Sequence, residues 1–208
     1  MNSPDMADKL PCKECNELIL PVTAEKTGGV CMACAQGIRQ DIEQSKEYYR
    51  KQREYDPYKE LWKHLNAKEM SAGFGSFTKA EKLYVAIAVF DGEVYNGGIQ
   101  QFFENSSGEL YAEVIEGLSV IKAVNSLSLL KRAAEILFGE IEPPKDHDQR
   151  YRMMRQQSDD DNAPKPDWVS ELDKLDDEYY KDPDKLAELL AGYAETTGLI
   201  EPFKVKAN

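Results

Sequence analysis

The sequence predicts an all-α protein, a compact multi-helix bundle that follows a small cysteine-rich module and a connecting helix. Apolar residues recur at helical spacing through most of residues 56–200. All cysteines fall within residues 12–34, and no strand pattern or internal repeat is found after them. The predicted organisation is a four-cysteine module at 1–36, a connecting helix at 37–55, an all-α domain at 56–200 and a tail at 201–208.

The cysteines form two CxxC pairs, at Cys12 and Cys15 and at Cys31 and Cys34, with 15 residues between the pairs. Each pair can present two thiolates to one ion, and four thiolates complete a tetrahedron around Zn²⁺. The spacing therefore predicts a structural zinc site, with iron as the minor alternative. Four thiolates leave no open position for a reacting water, which argues against catalytic zinc. A short strand is predicted over 18–22, followed by a turn at Gly28-Gly29.

A helix is predicted to begin immediately after Cys34 and to run to about Arg53. Its first apolar residues, Ile38 and Ile42, can pack on the metal module. Module and helix together resemble zinc-ribbon or treble-clef adaptors in general, some of which bind nucleic acid and others protein. Because residues 1–54 carry a net charge of only −1, a stabilising or protein-contacting role is favoured here.

The main domain is predicted to begin with a helix at Asp56-Pro57, where proline suits the first helical position. Thr78 and Glu81 form a capping box, after which a mostly apolar helix runs to Val94 and is expected to be central. Further helices are predicted from Glu109 to Ala123, from a cap at Asn125 or Ser126 to Phe138, around 146–157, through Trp168, Leu172, Leu175 and Tyr179, and from Asp182-Pro183 onward.

The short helix around 146–157 contains Arg150, Arg152 and Arg155. These three arginines are consistent with an anion site. In so acidic a domain, pairing with its own carboxylates is the favoured interpretation.

Residues 91–108 are the densest stretch of the chain. Asn96-Gly97-Gly98 predicts a helix stop, residues 99–104 a short helix with two adjacent phenylalanines, and residues 105–108 a second turn. The polar side chains invite two interpretations, namely capping of helix ends or a small ligand-binding pocket around Asn96, Gln101 and Asn105. Asp91 and Glu93 do not suggest an acid–base pair, because residues two apart on a helix do not face each other.

This stretch resembles the hallmark of a bacterial family of small acidic α-helical proteins that are related to a DNA-mimic protein. The resemblance covers about residues 55–200 and leaves the cysteine module outside. It implies a possible homodimer and binding to a transcription regulator. The turn and capping chemistry of the stretch favours a mainly structural role for the motif. The motif residues are Asn96, Gly97, Gly98, Gln101, Phe102, Phe103, Asn105, Ser106 and Gly108.

The net charge of −12 is placed unevenly, with −11 on residues 55–208. This balance opposes direct nucleic-acid binding and favours a basic protein surface as partner, such as that of a DNA-binding protein. No apolar run is long enough for a membrane span, and the N-terminus lacks the pattern of a signal peptide, so a cytoplasmic location is expected. No phosphate-binding glycine loop or nucleophile–base set argues for an enzyme.

Residues 158–188 carry 12 acidic residues against 4 lysines. They could place carboxylates in rows that bind a basic surface in place of DNA, or they could simply form a solvated helix face. The candidate acidic residues are Asp159, Asp160, Asp161, Glu171, Asp173, Asp176, Asp177 and Glu178.

Overall fold

The computed structural model describes residues 9–52, 54–155 and 167–204. The chain divides into two compact units, Met1–Tyr55 and Asp56–Asn208. The prediction of an all-α fold is confirmed, because the one sheet in the described ranges has only two strands of two residues each. None of the helices in these ranges has both the length and the apolar character needed to cross a membrane.

In the first unit, β1 (Leu10–Pro11) pairs antiparallel with β2 (Leu18–Ile19). Three helices follow, α1 (Pro21–Thr27), α2 (Met32–Ala35) and α3 (Arg39–Gln52). The strand predicted over 18–22 is therefore wrong beyond Ile19, because Pro21 occupies the first turn of α1. Gly28 ends α1 in the left-handed conformation, as the predicted turn requires.

The start predicted for the connecting helix is also wrong. Helix α2 begins at Met32, inside the second cysteine pair, and stops at Ala35. Gly37 then adopts φ 70° before α3 begins at Arg39. A glycine takes this conformation without a Cβ clash, so the chain changes direction there.

The second unit contains helices joined by short connections and 3₁₀ turns. The helices are α4 (Pro57–Ala72), α5 (Lys79–Glu104), α6 (Tyr111–Val120), α7 (Val124–Phe138), α8 (His147–Arg155), α9 (Asp167–Tyr179) and α10 (Leu186–Thr196). The 3₁₀ turns are Phe74–Ser76, Ser106–Leu110 and Glu201–Phe203. The predicted capping box forms at the start of α5, where Glu81 accepts from Thr78 N at 2.7 Å.

Two predicted helix starts are wrong. At both, an acidic residue of the α9–α10 connection accepts hydrogen bonds from the backbone N–H groups. Neither Asn125 nor Ser126 caps α7 with its side chain; Asp184 accepts from the N–H of Ser126 at 2.7 Å and of Asn125 at 3.3 Å. The last helix begins at Leu186 instead of following Pro183 directly, and Asp182 accepts from Leu186 N at 2.9 Å.

The core of the second unit is built around α5. Phe90, Phe102 and Phe103 are fully buried in the main apolar cluster, where α6, α7 and α9 pack against α5. The rings of Phe90 and Phe102 meet edge to face with centroids 5.1 Å apart. A smaller cluster lies where α4 and α10 meet the start of α5, around Leu61, Leu65 and Tyr84.

Candidate functional site

The four cysteines of the first unit converge on one point. Their Sγ atoms all lie within 4.8 Å of one another, and Cys12 and Cys31 are buried. The Sγ atoms of Cys15 and Cys31 are 3.7 Å apart. This matches the edge of about 3.8 Å expected for a tetrahedron with metal–sulfur bonds of about 2.3 Å. The donor set therefore fits a metal ion in a closed, four-thiolate site.

The polypeptide around Cys12 and Cys31 favours their thiolates, whereas the hydrogen bond with Cys31 and burial raise the pKa of the Cys34 thiol. Cys31 N donates to Cys12 Sγ at 3.1 Å, and Cys34 N donates to Cys31 Sγ at 3.3 Å. Burial raises the pKa of the Cys12 thiol, but backbone N–H groups outweigh this effect and lower the pKa to about 6. A thiolate is the form that binds a metal ion.

Arg39, the first residue of α3, also contacts the sulfurs. Its Nη2 donates to Cys15 Sγ at 2.9 Å and lies 3.5 Å from Cys31 Sγ, while its Nη1 donates to Glu43 at 3.1 Å. A guanidinium next to four thiolates offsets part of their negative charge. Arg39 therefore links the start of α3 to the cysteine cluster, a contact that the cysteine spacing could not reveal.

In the second unit, the predicted stop at Asn96-Gly97-Gly98 is a sharp break inside α5. Gly98 takes φ 82° and ψ 173°, a combination almost restricted to glycine, and the helix resumes at Ile99. A Cβ at Gly98 would lie 2.3 Å from Asp176 Oδ2. Glycine is thus required both by the backbone conformation and by the close approach of α9.

Helix α9 satisfies backbone groups on both sides of this break. Asp176 Oδ1 accepts from Ile99 N at 2.8 Å, so it caps the second segment of α5. The Tyr180 hydroxyl donates to Val94 O at 3.0 Å near the end of the first segment. The break and the position of α9 are therefore fixed together.

The polar residues of the motif are organised by Glu93. Its carboxylate accepts from Gln101 Nε2 at 2.6 Å, Asn105 Nδ2 at 2.9 Å and Ser107 Oγ at 3.0 Å. These bonds tie the segment before the break to the segment after it. The capping interpretation expected these side chains to cap helix ends. Neither Gln101 nor Asn105 does so with its side chain.

Arg150 completes the second turn of the motif. Its side chain is fully buried and donates to the backbone carbonyls of Phe103 at 3.0 Å and Asn105 at 2.7 Å, and to two more in the chain before α8. Gly108 lies against it, since a Cβ there would be 2.6 Å from Arg150 Nε. Arg150 was expected to bind an anion or to pair with carboxylates, but among the described residues it forms no ion pair. Its guanidinium binds backbone carbonyls instead and holds the turn together.

The comparison with protein families covers this same unit. A family model described as DMP19-like protein matches residues 75–197, which is more than half of the 208 residues. The chain belongs to the DMP19-like protein family. The resemblance read from the motif is confirmed at this level. Comparisons with curated proteins and with solved structures give no match.

The match places the broken helix, its α9 contacts and Arg150 within the DMP19-like region, and leaves the four cysteines outside it. Among the motif residues, Gly98, Phe102, Phe103 and Gly108 are buried. Asn96, Gly97, Asn105 and Ser106 are exposed. In this DMP19-like protein the motif therefore builds the central helix and also contributes to the surface at the break.

The candidate acidic residues divide into groups with different surroundings. Asp159, Asp160 and Asp161 lie outside the described residues. Asp176 turns inward to cap α5, and burial raises its pKa. Exposed on α9 remain Glu171, Asp173, Asp177 and Glu178, of which Glu178 contacts Arg132 at 3.4 Å. Of the described candidates on α9, Asp176 thus stabilises the fold, and the other four contribute negative charge to the surface.

Proposed function

We propose that the DMP19-like unit is a non-enzymatic regulatory protein that binds a basic, DNA-contacting surface of a DNA-binding protein. The observation that carries this proposal is the set of four carboxylates on the exposed half of α9, which we call the acidic face: Glu171, Asp173, Asp177 and Glu178. The DNA-mimic relative implied by the motif resemblance supports the kind of partner. The net charge of −11 on residues 55–208 supports its sign.

The charge density of the acidic face limits the proposal. Helix α9 has 13 residues and is therefore about 20 Å long. Duplex DNA carries about 12 charges over the same length, at one per ~1.7 Å. Four carboxylates cannot reproduce that field. They can, however, engage a few basic side chains that otherwise contact phosphates.

Asp173 and Asp177 are the best-placed members of the acidic face. They lie one helical turn apart, about 6 Å along the axis, so the two carboxylates repel each other. Within the part of the chain that the structure describes, neither forms an ion pair. A cationic partner would relieve this repulsion, so the pair is better suited to a complex than to the free protein.

The proposal is tested by charge reversal and salt. The native chain, Asp173→Lys with Asp177→Lys, and a control with Glu69→Lys and Glu140→Lys are used to capture proteins from host extract at low and high salt. The control changes the net charge equally at exposed positions away from α9. We expect the native chain and the control to retain a DNA-binding protein at low salt only, and the α9 variant to bind it at least about tenfold more weakly.

The captured protein then supplies the decisive measurement. Adding the native chain should release that protein from its DNA in a gel-shift assay, whereas the α9 variant should not. Capture that resists salt, or an equal loss in both double variants, would contradict an electrostatic role for the acidic face. The homodimer is proposed on the resemblance alone, and light scattering would test it against the chain mass of 23.6 kDa.

For the first unit we propose a structural Zn²⁺ at Cys12, Cys15, Cys31 and Cys34. The closed set of four sulfurs within 4.8 Å supports it. Elemental analysis of the purified chain should find one zinc and no iron. Equimolar iron in place of zinc would reject the proposed identity. The ion would cross-link the two CxxC segments, which contain too few apolar residues for a core of their own.

The cysteine module also offers a second candidate function, that of an adaptor contacting the partner directly. The cysteine cluster lies in a separate compact unit outside the DMP19-like region, which favours a role of its own. Replacing Cys12 and Cys15 by serine would then abolish capture while the circular dichroism of the helical unit persists. Undiminished capture by this variant would leave the acidic face as the binding surface.

A further inference from the structure

An exposed pair of tyrosines lies where α9 crosses the break in α5. Tyr95 is 55% exposed and Tyr180 is 45% exposed. Their ring centroids are 5.7 Å apart, with an angle of 37° between the planes. We call this pair the tyrosine platform. Exposed, adjacent aromatic rings are typical of binding surfaces, where they provide large contact area with few rotatable bonds.

The platform is held in place from below. Tyr180 is fixed by its hydrogen bond to Val94 O. The rings of Tyr95 and the buried Tyr179 meet edge to face, with centroids 5.9 Å apart. Tyr179 in turn donates to Asp91 at 2.7 Å, and burial raises the pKa of both groups. The two exposed rings are therefore preorganised, which lowers the entropic cost of binding.

Nearby carboxylates influence both hydroxyls of the platform. The pKa of the Tyr95 hydroxyl is raised by partial burial and then by Asp182 and Asp91. The pKa of the Tyr180 hydroxyl is raised by partial burial and then by Asp176 and Asp177. The negative charges that disfavour a phenolate here would favour a cation placed over either ring.

The protein contains an example of the contact that such a surface offers. Arg155 lies with Cζ 4.9 Å from the centre of the exposed Tyr151 ring on α8. Arginine is better suited than lysine to this setting, because its planar guanidinium stacks on a ring while its N–H groups still reach carboxylates.

We propose that the tyrosine platform binds an arginine side chain of the basic partner, with the ring faces stacking on the guanidinium and Asp177 accepting from it. This inference rests on the proposed function and specifies it. The acidic face supplies attraction to any cation, and the platform selects arginine over lysine.

The test uses two simple probes, nona-arginine and nona-lysine peptides, with binding to the full chain measured by fluorescence anisotropy at fixed salt. We expect the native chain to bind the arginine peptide about three- to thirtyfold more tightly. Tyr95→Leu should remove this preference, and Tyr95→Phe should retain it, because phenylalanine keeps the ring face. Tyr180→Phe keeps the second ring but loses the hydrogen bond to Val94 O that fixes it, so the preference should weaken without disappearing.

Tyr151→Leu is the matched control, since it removes an exposed tyrosine elsewhere in the same unit and should leave the preference intact. Equal affinity of the native chain for the two peptides would overturn the inference, as would an undiminished preference in Tyr95→Leu. In either case, weaker binding of both peptides by the Asp173→Lys, Asp177→Lys variant would still support the proposed function. Absence of binding to both peptides would count against both proposals.

Discussion

Replacing Gly98 by alanine is expected to destabilise the DMP19-like unit far more than an ordinary glycine substitution. The backbone at Gly98, with φ 82° and ψ 173°, costs a non-glycine residue about 1–3 kcal/mol. The new Cβ would also lie 2.3 Å from Asp176 Oδ2. Asp176 would have to move and give up its bond to Ile99 N, which costs about 1 kcal/mol more. We therefore expect a loss of about 2–4 kcal/mol in the free energy of unfolding.

A double-mutant cycle separates the two contributions. Asp176→Ala alone should cost about 1 kcal/mol, the usual value of a lost helix cap. In the double variant the clash and the hydrogen bond are both absent, so only the backbone strain remains from the Gly98 change. The double variant should therefore be more stable than the sum of the single effects predicts, by about 1 kcal/mol.

Gly92→Ala is the control on the same helix. A Cβ at Gly92 meets nothing within 4 Å, so the substitution should stabilise α5 by about 0.5–1 kcal/mol. Urea unfolding followed by tryptophan fluorescence is the assay, because both tryptophans, Trp62 and Trp168, belong to the second unit. A Gly98→Ala variant as stable as Gly92→Ala, or strictly additive single effects, would refute this account of the break.

Three further predictions concern single polar residues. Arg150→Met should cost more than about 3 kcal/mol in the same assay, because buried carbonyls lose their donor, and Arg150→Lys should recover only part of this loss. Asp184→Asn should cost about 1 kcal/mol at pH 7. Burial opposes ionisation of Asp184, but its hydrogen bonds at the start of α7 outweigh burial and hold its pKa below the usual value. The stabilisation that ionised Asp184 contributes is therefore full above the unfolded pKa of about 4. The difference in unfolding free energy between the native chain and Asp184→Asn should close as pH falls through the folded pKa. Arg39→Gln should weaken retention of the proposed zinc about 10- to 100-fold in a chelator competition. Arg50→Gln on the same helix should not, because Arg50 donates to Glu47 and Glu54 and not to a cysteine among the described residues.

Features of this fold that depend on neighbours in the chain could be predicted from the sequence. The apolar spacing of α5, its capping box and the stop at Asn96-Gly97-Gly98 each follow from residues within a few positions. The cysteine cluster was predictable as well, because the spacing of two CxxC pairs leaves few other arrangements. Local rules failed where two signals competed, as at Pro21, where a β-like apolar run met a helix-starting proline.

Features that depend on distant partners could not be predicted. Asp176 caps a residue 77 positions earlier, and Asp184 caps one 58 positions earlier. In the sequence both belong to an acidic run and cannot be distinguished from Asp173 or Asp177. One local signal did exist for Glu93, because a carboxylate in the last turn of a helix is opposed by the helix dipole. Its three hydrogen bonds to side chains beyond the break explain why it is found there.

Helix α9 connects the structural motif to the proposed binding surface. Because Asp176 binds Ile99 N across the break, the rotation of α9 about its own axis is fixed relative to α5. That rotation directs Asp173 and Asp177 outward, and Tyr180 follows at the end of the helix beside Tyr95. A change at Gly98 that left the unit folded would still shift α9, and with it the carboxylates relative to the tyrosine platform. The arginine selectivity proposed for the platform should therefore be lost in Gly98→Ala even where the protein remains folded, as the two peptide probes would measure. On this proposal, the motif would support binding through the geometry that it imposes on α9.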